Sequence, residues 1–336
     1  MPNKLSKIEK EKMRTWVELD RSAIKANYDT FRGMLKKPTR LMSVVKSNAY
    51  GHGLVLFAQE VSRLGVDWLG VDSFEEALEL RKAGIKKPIM VFGFVSSAYF
   101  AEAVKKNISV TISSIENLKE LPKVKGKLKI HIKADTGLSR QGFLTEQMDD
   151  VLKVLKKVKN IEVEGVYSHF AIGEDPKGKD YTDKQVEIYL KWVASLQSAG
   201  YKPIRHICAT SSTMMYPEYH FDMVRVGIGM YGLWPSRETK EAVGKKYKLS
   251  PVLSWKAIIS EIKNLKKGTK VGYDLTEELK RDSKIAIVPI GYWHGYPRLL
   301  SLKGKLNIFG KLVKVMGNVS MDMIMIDVTG AEGVKV

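Results

Sequence analysis

The sequence predicts an α/β protein in two parts, a (β/α)8 barrel followed by a smaller all-β domain. Two patterns carry this reading. Up to Pro235, short apolar β-branched runs alternate with helix-patterned stretches, as strands joined by helical crossovers require. From Leu249 onward the chain is strands and tight turns without helical periodicity. The 336 residues, 44% of them hydrophobic, supply enough apolar material for both cores. The expected division is an N-terminal segment at 1–20, the barrel at 21–236 and an incomplete β domain at 237–336.

The elements follow in order. Trp16–Asp20 reads as an isolated strand able to pair with either domain, ahead of a helix over Ser22–Leu35. The barrel strands are expected at Leu41–Lys46, Trp68–Val71, Pro88–Phe92, Ser109–Ile112, Lys127–Lys133, Ile161–Ser168, Ile204–Ala209 and Phe221–Val226. Helices fall between them at Ser73–Ala83, Ser114–Leu121, Glu146–Lys157 and Thr182–Gly200. In the last, Val186, Tyr189, Leu190, Val193 and Leu196 recur at helical spacing. A doubly wound sheet remains the alternative, since one sequence does not show closure. Strands of the second domain are expected at Val252–Ile262, Val271–Tyr273, Ile285–Ile290, Lys305–Ile308, Leu312–Val315 and Met323–Val328, with Lys267-Gly268 and Lys303-Gly304 at turns.

Composition excludes several classes. The opening stretch MPNKLSKIEKEKMRTW has no apolar core of the kind a secretory signal needs. No apolar run reaches the length of a membrane span. Cys208 is the single cysteine, so neither an intramolecular disulfide nor a cysteine-based metal site can form, and no metal is expected. A cytoplasmic protein is the resulting expectation. The net charge of +19 comes from lysines spread over the whole chain, in pairs such as Lys36-Lys37, Lys156-Lys157 and Lys266-Lys267. Spread charge without interleaved aromatics makes a solvated surface rather than a nucleic-acid stripe. It still draws in a small anion.

In a barrel the chemistry gathers where strands end and loops begin, on one face. That rule selects Lys46 with Ser47-Asn48-Ala49-Tyr50-Gly51-His52-Gly53, then Lys133 with Ala134-Asp135-Thr136-Gly137 and Arg140, then His169. It also selects Thr210-Ser211-Ser212 and Arg225-Val226-Gly227-Ile228-Gly229, at the seventh and eighth strand ends, where barrels commonly hold a phosphate. A lysine closing a buried apolar strand is costly to keep charged. Desolvation would favour the neutral amine that a Schiff base with an aldehyde cofactor requires, and Lys46 is the candidate. Arg225 reads equally as a strand-end ion pair with Asp222. His169 alone reads as a core histidine.

Together these segments resemble the alanine racemase family, over about Trp16 to Asp327. The most specific piece, Val45 to Gly53, is similar to that family's pyridoxal-phosphate attachment signature. It is followed in order by Lys133-Ala134-Asp135-Thr136-Gly137 to Arg140, Ser168-His169-Phe170, Arg225 to Ile228 with Met230-Tyr231-Gly232, Val271-Gly272-Tyr273, Ile290-Gly291-Tyr292 and Ser320-Met321-Asp322. The resemblance implies a pyridoxal 5'-phosphate barrel with a C-terminal β domain, acting on a small amino acid as a homodimer with shared sites and supplying D-alanine for peptidoglycan. Lys46 would carry the cofactor and act as base on the D-face, with Tyr273 of the other subunit as base on the L-face. Arg225, held by His169, would face the ring nitrogen. Tyr50, Ser211, Gly227 and Ile228 would bind the phosphate. Arg140 and the backbone of Met321 would orient the substrate carboxylate, with Lys133, carbamylated in relatives, positioning Arg140.

The chain departs from the family pattern at His294, where an acidic residue is usual, and at Asn318, where an arginine is common. It also ends before the family's final strands. A serine or broader-specificity racemase of the same family stays open, as does a non-catalytic pyridoxal-phosphate barrel protein, although Tyr273 and the β domain argue against the latter.

Overall fold

The structure, a computed structural model, describes residues 12–121 and 126–336; residues 1–11 of the segment expected at 1–20 lie outside them. The chain forms two compact units, one spanning Leu19–Val252 and the other combining the chain up to Glu18 with Leu253–Val336.

Strand β1 (Thr15–Leu19) leads into helix α1 (Arg21–Met34), whose first turn is capped by the Asp20 carboxylate accepting from the Ser22 and Ala23 amides. Then come β2 (Arg40–Val44), β3 (Trp68–Val71), β4 (Ile89–Val91), β5 (Ile108–Ile112), β6 (Leu128–Lys133), β7 (Ile161–Tyr167), β8 (Ile204–His206) and β9 (Met223–Val226). All eight lie parallel in the order β8-β7-β6-β5-β4-β3-β2-β9. Backbone bonds from Asp222 to Arg205 (3.1 Å) and from Arg225 to Cys208 (3.1 Å) join the two ends. The expected barrel is therefore the observed architecture, and the doubly wound alternative falls away.

Alternation along each strand divides the side chains between two environments. Leu128, Ile130 and Ile132 of β6 pack into the large outer core with the helices. Met42, Trp68, Met90, Tyr167 and Met223, from five different strands, form a separate cluster, as side chains pointing into the barrel do. Polar groups share this interior: Ser109, Thr111, His131, Lys133, His206 and Arg225 are all buried. The pairing of β6 with β7 slips between Ile130 and His131, so that His131 faces Gly165 and Glu164 is the extra residue. The glycine is sterically required. A Cβ at Gly165 would lie 2.1 Å from His131 Nδ1.

The second unit contains β10 (Leu253–Ala257), β11 (Glu261–Leu265), β12 (Lys270–Val271), β13 (Glu277–Glu278), β14 (Ser283–Val288), β15 (Lys305–Ile308), β16 (Lys311–Met316) and β17 (Ile324–Asp327). Five of these form an antiparallel sheet in the order β11-β14-β17-β16-β15 around Ala286, Val288, Val315, Ile324 and Ile326. The single strand expected at Val252–Ile262 is two strands. β10 pairs with β1 and β11 with β14, and the change of partner breaks the run at Ile258–Ser260. Among the described residues, no helix is long and apolar enough to cross a membrane.

Two glycine substitutions test this packing. Gly165→Ala should lose roughly 2–3 kcal/mol of unfolding free energy, since the new methyl must displace His131 inside a filled barrel. Gly33→Ala, in α1 with open space around its Cβ position, should be neutral or stabilise by about 0.5–1 kcal/mol. Urea unfolding measures both, and equal effects would contradict the barrel-interior placement.

Candidate active site

The strand ends of the barrel open into a pocket of about 300 Å³. Of the expected site residues, Lys46, Tyr50, Lys133, Arg140, His169, Ser211, Arg225, Gly227 and Ile228 line it. Tyr273 and Met321 do not. They belong to the other unit, where they stand 68% and 48% exposed.

Strand β2 ends at Val44, two residues earlier than expected. Beyond it the chain makes a left-handed turn, with Ser47, Asn48, Ala49 and Tyr50 at φ of 55°, 54°, 53° and 54°. Such a conformation costs roughly 1–2 kcal/mol per residue outside glycine, so it persists only where the surroundings over-determine it. They do so here. The Asn48 amide donates to Glu76 Oε1 (2.9 Å), its side-chain oxygen accepts from the Leu54 amide (2.8 Å), and the Ala49 amide donates to the Val45 carbonyl (2.9 Å). One turn separates Lys46 from Tyr50, and both reach the pocket.

The desolvation expected at Lys46 is found elsewhere. The Lys46 side chain is 39% exposed and its Nζ lies 3.0 Å from Asp72 Oδ1, because it has left the strand for the open mouth. Lys133 is the desolvated lysine, 5% exposed, with its Nζ 4.3 Å from the centre of the Tyr167 ring. Burial drives its pKa well below the ordinary lysine value, and the charges of Arg225 and Arg140 push the same way against the weaker pull of Asp135.

Arg225 does not pair with Asp222, which instead holds Arg205 at 2.8 Å. Its guanidinium is enclosed and donates to the carbonyls of Ser168 (2.8 Å) and Ile207 (3.0 Å), to His169 Nδ1 (3.2 Å) and to His206 Nδ1 (3.0 Å). Burial lowers the pKa of both His169 and His206 well below the usual imidazole range, with the charge of Arg225 the next cause. Both rings therefore serve as neutral acceptors.

At the opposite wall, Thr210 opens helix α2 (Thr210–Met215), and its hydroxyl accepts from the amides of Gly227 (3.1 Å) and Gly229 (3.4 Å). Gly227 lets the chain pass beneath the Tyr50 hydroxyl, which a Cβ would approach to 2.5 Å. Asp135 shapes the third side by accepting from the amides of Gly137, Leu138, Ser139 and Arg140 at 2.9–3.2 Å.

Asp72, Tyr167 and His206 were not singled out by the sequence. For Tyr167 and His206 a signal existed: each is an inward position at the end of a strand already assigned. Asp72 offered none beyond its place after β3.

With this geometry in view, comparison with known proteins identifies the relatives. The family model for the alanine racemase N-terminal domain matches residues 19–235, and that for the alanine racemase C-terminal domain matches residues 252–336. The chain belongs to the alanine racemase family. It is 42% identical to the alanine racemase of Methanococcus maripaludis over 96% of this chain and 86% of that one. The solved alanine racemase of Clostridium difficile 630 superposes with a TM-score of 0.90 at 30% identity, covering 96% of this chain and 85% of its own. The Bacillus anthracis alanine racemase, solved with bound L-Ala-P, gives 0.87 at 33% identity over 96% and 83%.

The depressed pKa values of His169 and His206 set a pH dependence. A group whose folded pKa is lowered adds stability that is full above its unfolded pKa, near 6.5, and is lost as the pH falls below it. Unfolding free energy should drop by roughly 2–4 kcal/mol between pH 7 and pH 5, and His206→Gln should flatten that slope. Urea denaturation at a series of pH values reads it; an unchanged slope would place the dependence on other groups.

Proposed function

We propose that this chain interconverts L- and D-alanine using pyridoxal 5'-phosphate held at the barrel mouth, and that it does so as a homodimer. The observation that carries the proposal is the content of one pocket: a lysine amine at one strand end, a buried arginine at another, and a glycine-and-hydroxyl cradle between them. The residues fit the cofactor. Gly227 leaves the space in which the Tyr50 hydroxyl sits, and Ser211, Ile228 and Tyr50 border the same pocket.

Bound there, pyridoxal phosphate supplies an aldehyde for the lysine amine and a conjugated ring that spreads negative charge from the substrate Cα. Lys46 would hold the cofactor and move the Cα proton on the D-face, with the Asp72 carboxylate beside its Nζ. Tyr50, Ser211, Gly227 and Ile228 would bind the phosphate through hydroxyls and amides. Arg225, held by His169 and His206, would face the ring nitrogen. Keeping its own proton there, it would leave the ring nitrogen unprotonated and the bound cofactor a weaker sink for negative charge. Arg140 and the Met321 backbone would orient the substrate carboxylate. A neutral Lys133 is the form able to take up carbon dioxide, and the carbamate formed would be an anion for Arg140.

The base for the L-face is assigned to Tyr273 of the partner subunit. It follows Gly272, whose φ of 80° turns the chain outward, and it is exposed together with Tyr292, Trp293 and Met321. Backbone bonds from Tyr292 to Ser320 (3.1 Å) and from Trp293 to Met321 (3.0 Å) tie two of these loops together. Exposed aromatics gathered on fixed loops favour an interface.

The test is incubation with pyridoxal phosphate and L-alanine in D₂O. Deuterated D-alanine is the expected product; its absence, with no Cα exchange from either enantiomer, would overturn the proposal. Exchange with serine alone would keep the reaction and change the substrate. Lys46→Ala should remove the visible cofactor band and lower turnover about 10³-fold. Tyr273→Ala should slow exchange from L-alanine far more than from D-alanine, and equal losses would refute the face assignment.

A further inference from the structure

Arg225 is 4% exposed, yet every acceptor its hydrogen bonds reach among the described residues is neutral: two carbonyls and two imidazoles. A buried charge normally has a counter-charge. Among the described residues, one route of hydrogen bonds leads to one. His206 receives Arg225 Nη1 at Nδ1, and its Nε2 lies 2.9 Å from His131 Nδ1. His131 Nε2 in turn lies 3.3 Å from Glu164 Oε2. The Ser109 hydroxyl also donates to that oxygen, and Lys129 Nζ sits 3.2 Å from Oε1.

The two ends fix the direction of the whole route. An arginine can only donate, so His206 Nδ1 must be an acceptor and its proton must be on Nε2. His131 Nδ1 must then accept, which puts its proton on Nε2, facing the carboxylate. A reversed order would set an imidazole N–H against a guanidinium N–H. Packing holds the rings for this order. Tyr167 stacks on His206 at 5.0 Å, Trp68 meets His131 edge-on at 5.6 Å, and Gly165 leaves the space that His131 fills.

We propose that Glu164 is a positioning residue for Arg225, acting through His131 and His206. Its carboxylate is the acceptor for the Nε2–H form that Arg225 imposes on both rings, and the charge that balances the guanidinium across the barrel interior. It is ionised at neutral pH: burial works against the charge, but His131, Ser109 and Lys129 bring the carboxyl down to about 2. The consequence for the cofactor rests on the reading that Arg225 faces pyridoxal phosphate; the proton order within the protein does not.

The test has two arms. In the full chain without added cofactor, ¹⁵N-histidine spectra should show His131 and His206 protonated on Nε2, with coupling across the bond between them. A proton on Nδ1 of either ring overturns the proposal. Glu164→Gln fills the same space, but with its oxygen drawn to Lys129 its amide offers His131 a donor. In that variant the His131 Nε2–H resonance should shift, its charged acceptor gone, while Arg225 still holds the proton of His206 on Nε2. Pyridoxal phosphate should bind about tenfold more weakly, with a displaced visible band. Unchanged rings, affinity and band in the folded variant also overturn it. If neither chain binds pyridoxal phosphate, the cofactor reading fails, and the histidine spectra still decide the route.

Discussion

A guanidinium enclosed at the end of a barrel strand has to be solvated by protein, and much of the interior answers to that requirement at Arg225. Two strand ends supply acceptors, Ser168 and His169 just beyond β7, and His206 with Ile207 at the end of β8. The face of Tyr167 lies 5.3 Å from the guanidinium carbon, adding the attraction of an aromatic ring for a cation. These acceptors are useful only while they stay neutral, and the charge of Arg225 itself helps to keep His169 and His206 so. The charge and its acceptors therefore stabilise each other's protonation states. Substituting one of them alters the others, so their effects should not add.

The barrel was legible because its strands are short and apolar, and because two of its helices begin on capping serines, Ser73 and Ser114. Trp68–Val71 and Lys305–Ile308 fall where the sequence puts them. Strand-end logic then gathered the pocket residues correctly. What the sequence concealed depends on contacts between distant positions. The exposure of Lys46 arises in a left-handed turn held by Glu76. The split at Ile258–Ser260 arises from a change of pairing partner. The link from Glu164 to Arg225 crosses four strands that no local pattern relates.

The left-handed turn shows how strain and placement go together. An extended chain after Val44 would send Lys46 and Tyr50 in directions set by a two-residue alternation. Winding the next residues left-handed brings the amine and the phenol to the same pocket within one turn. Gly51 and Gly53, at φ of 83° and 91°, then return the chain to the helix that begins at Leu54 without adding further side-chain strain. Energy stored at this point is released only by losing the position of Lys46.

Strand β6 explains why two lysines of one strand differ. Its inward positions are Lys129, His131 and Lys133, successive steps along the barrel axis. Lys129 has Glu164 at 3.2 Å and keeps an ordinary ion pair. Lys133, two steps on, meets Arg225 and Arg140 as its neighbouring charges, with Asp135 pulling more weakly. The carboxylate thus lies at one end of the strand, and cations gather at the other. A lysine whose pKa is lowered among arginines follows from that distribution, and so does a pocket that attracts a phosphate and a carboxylate. The charge pattern of the mouth is in this sense set from inside the barrel, by where along its inward positions the carboxylate lies.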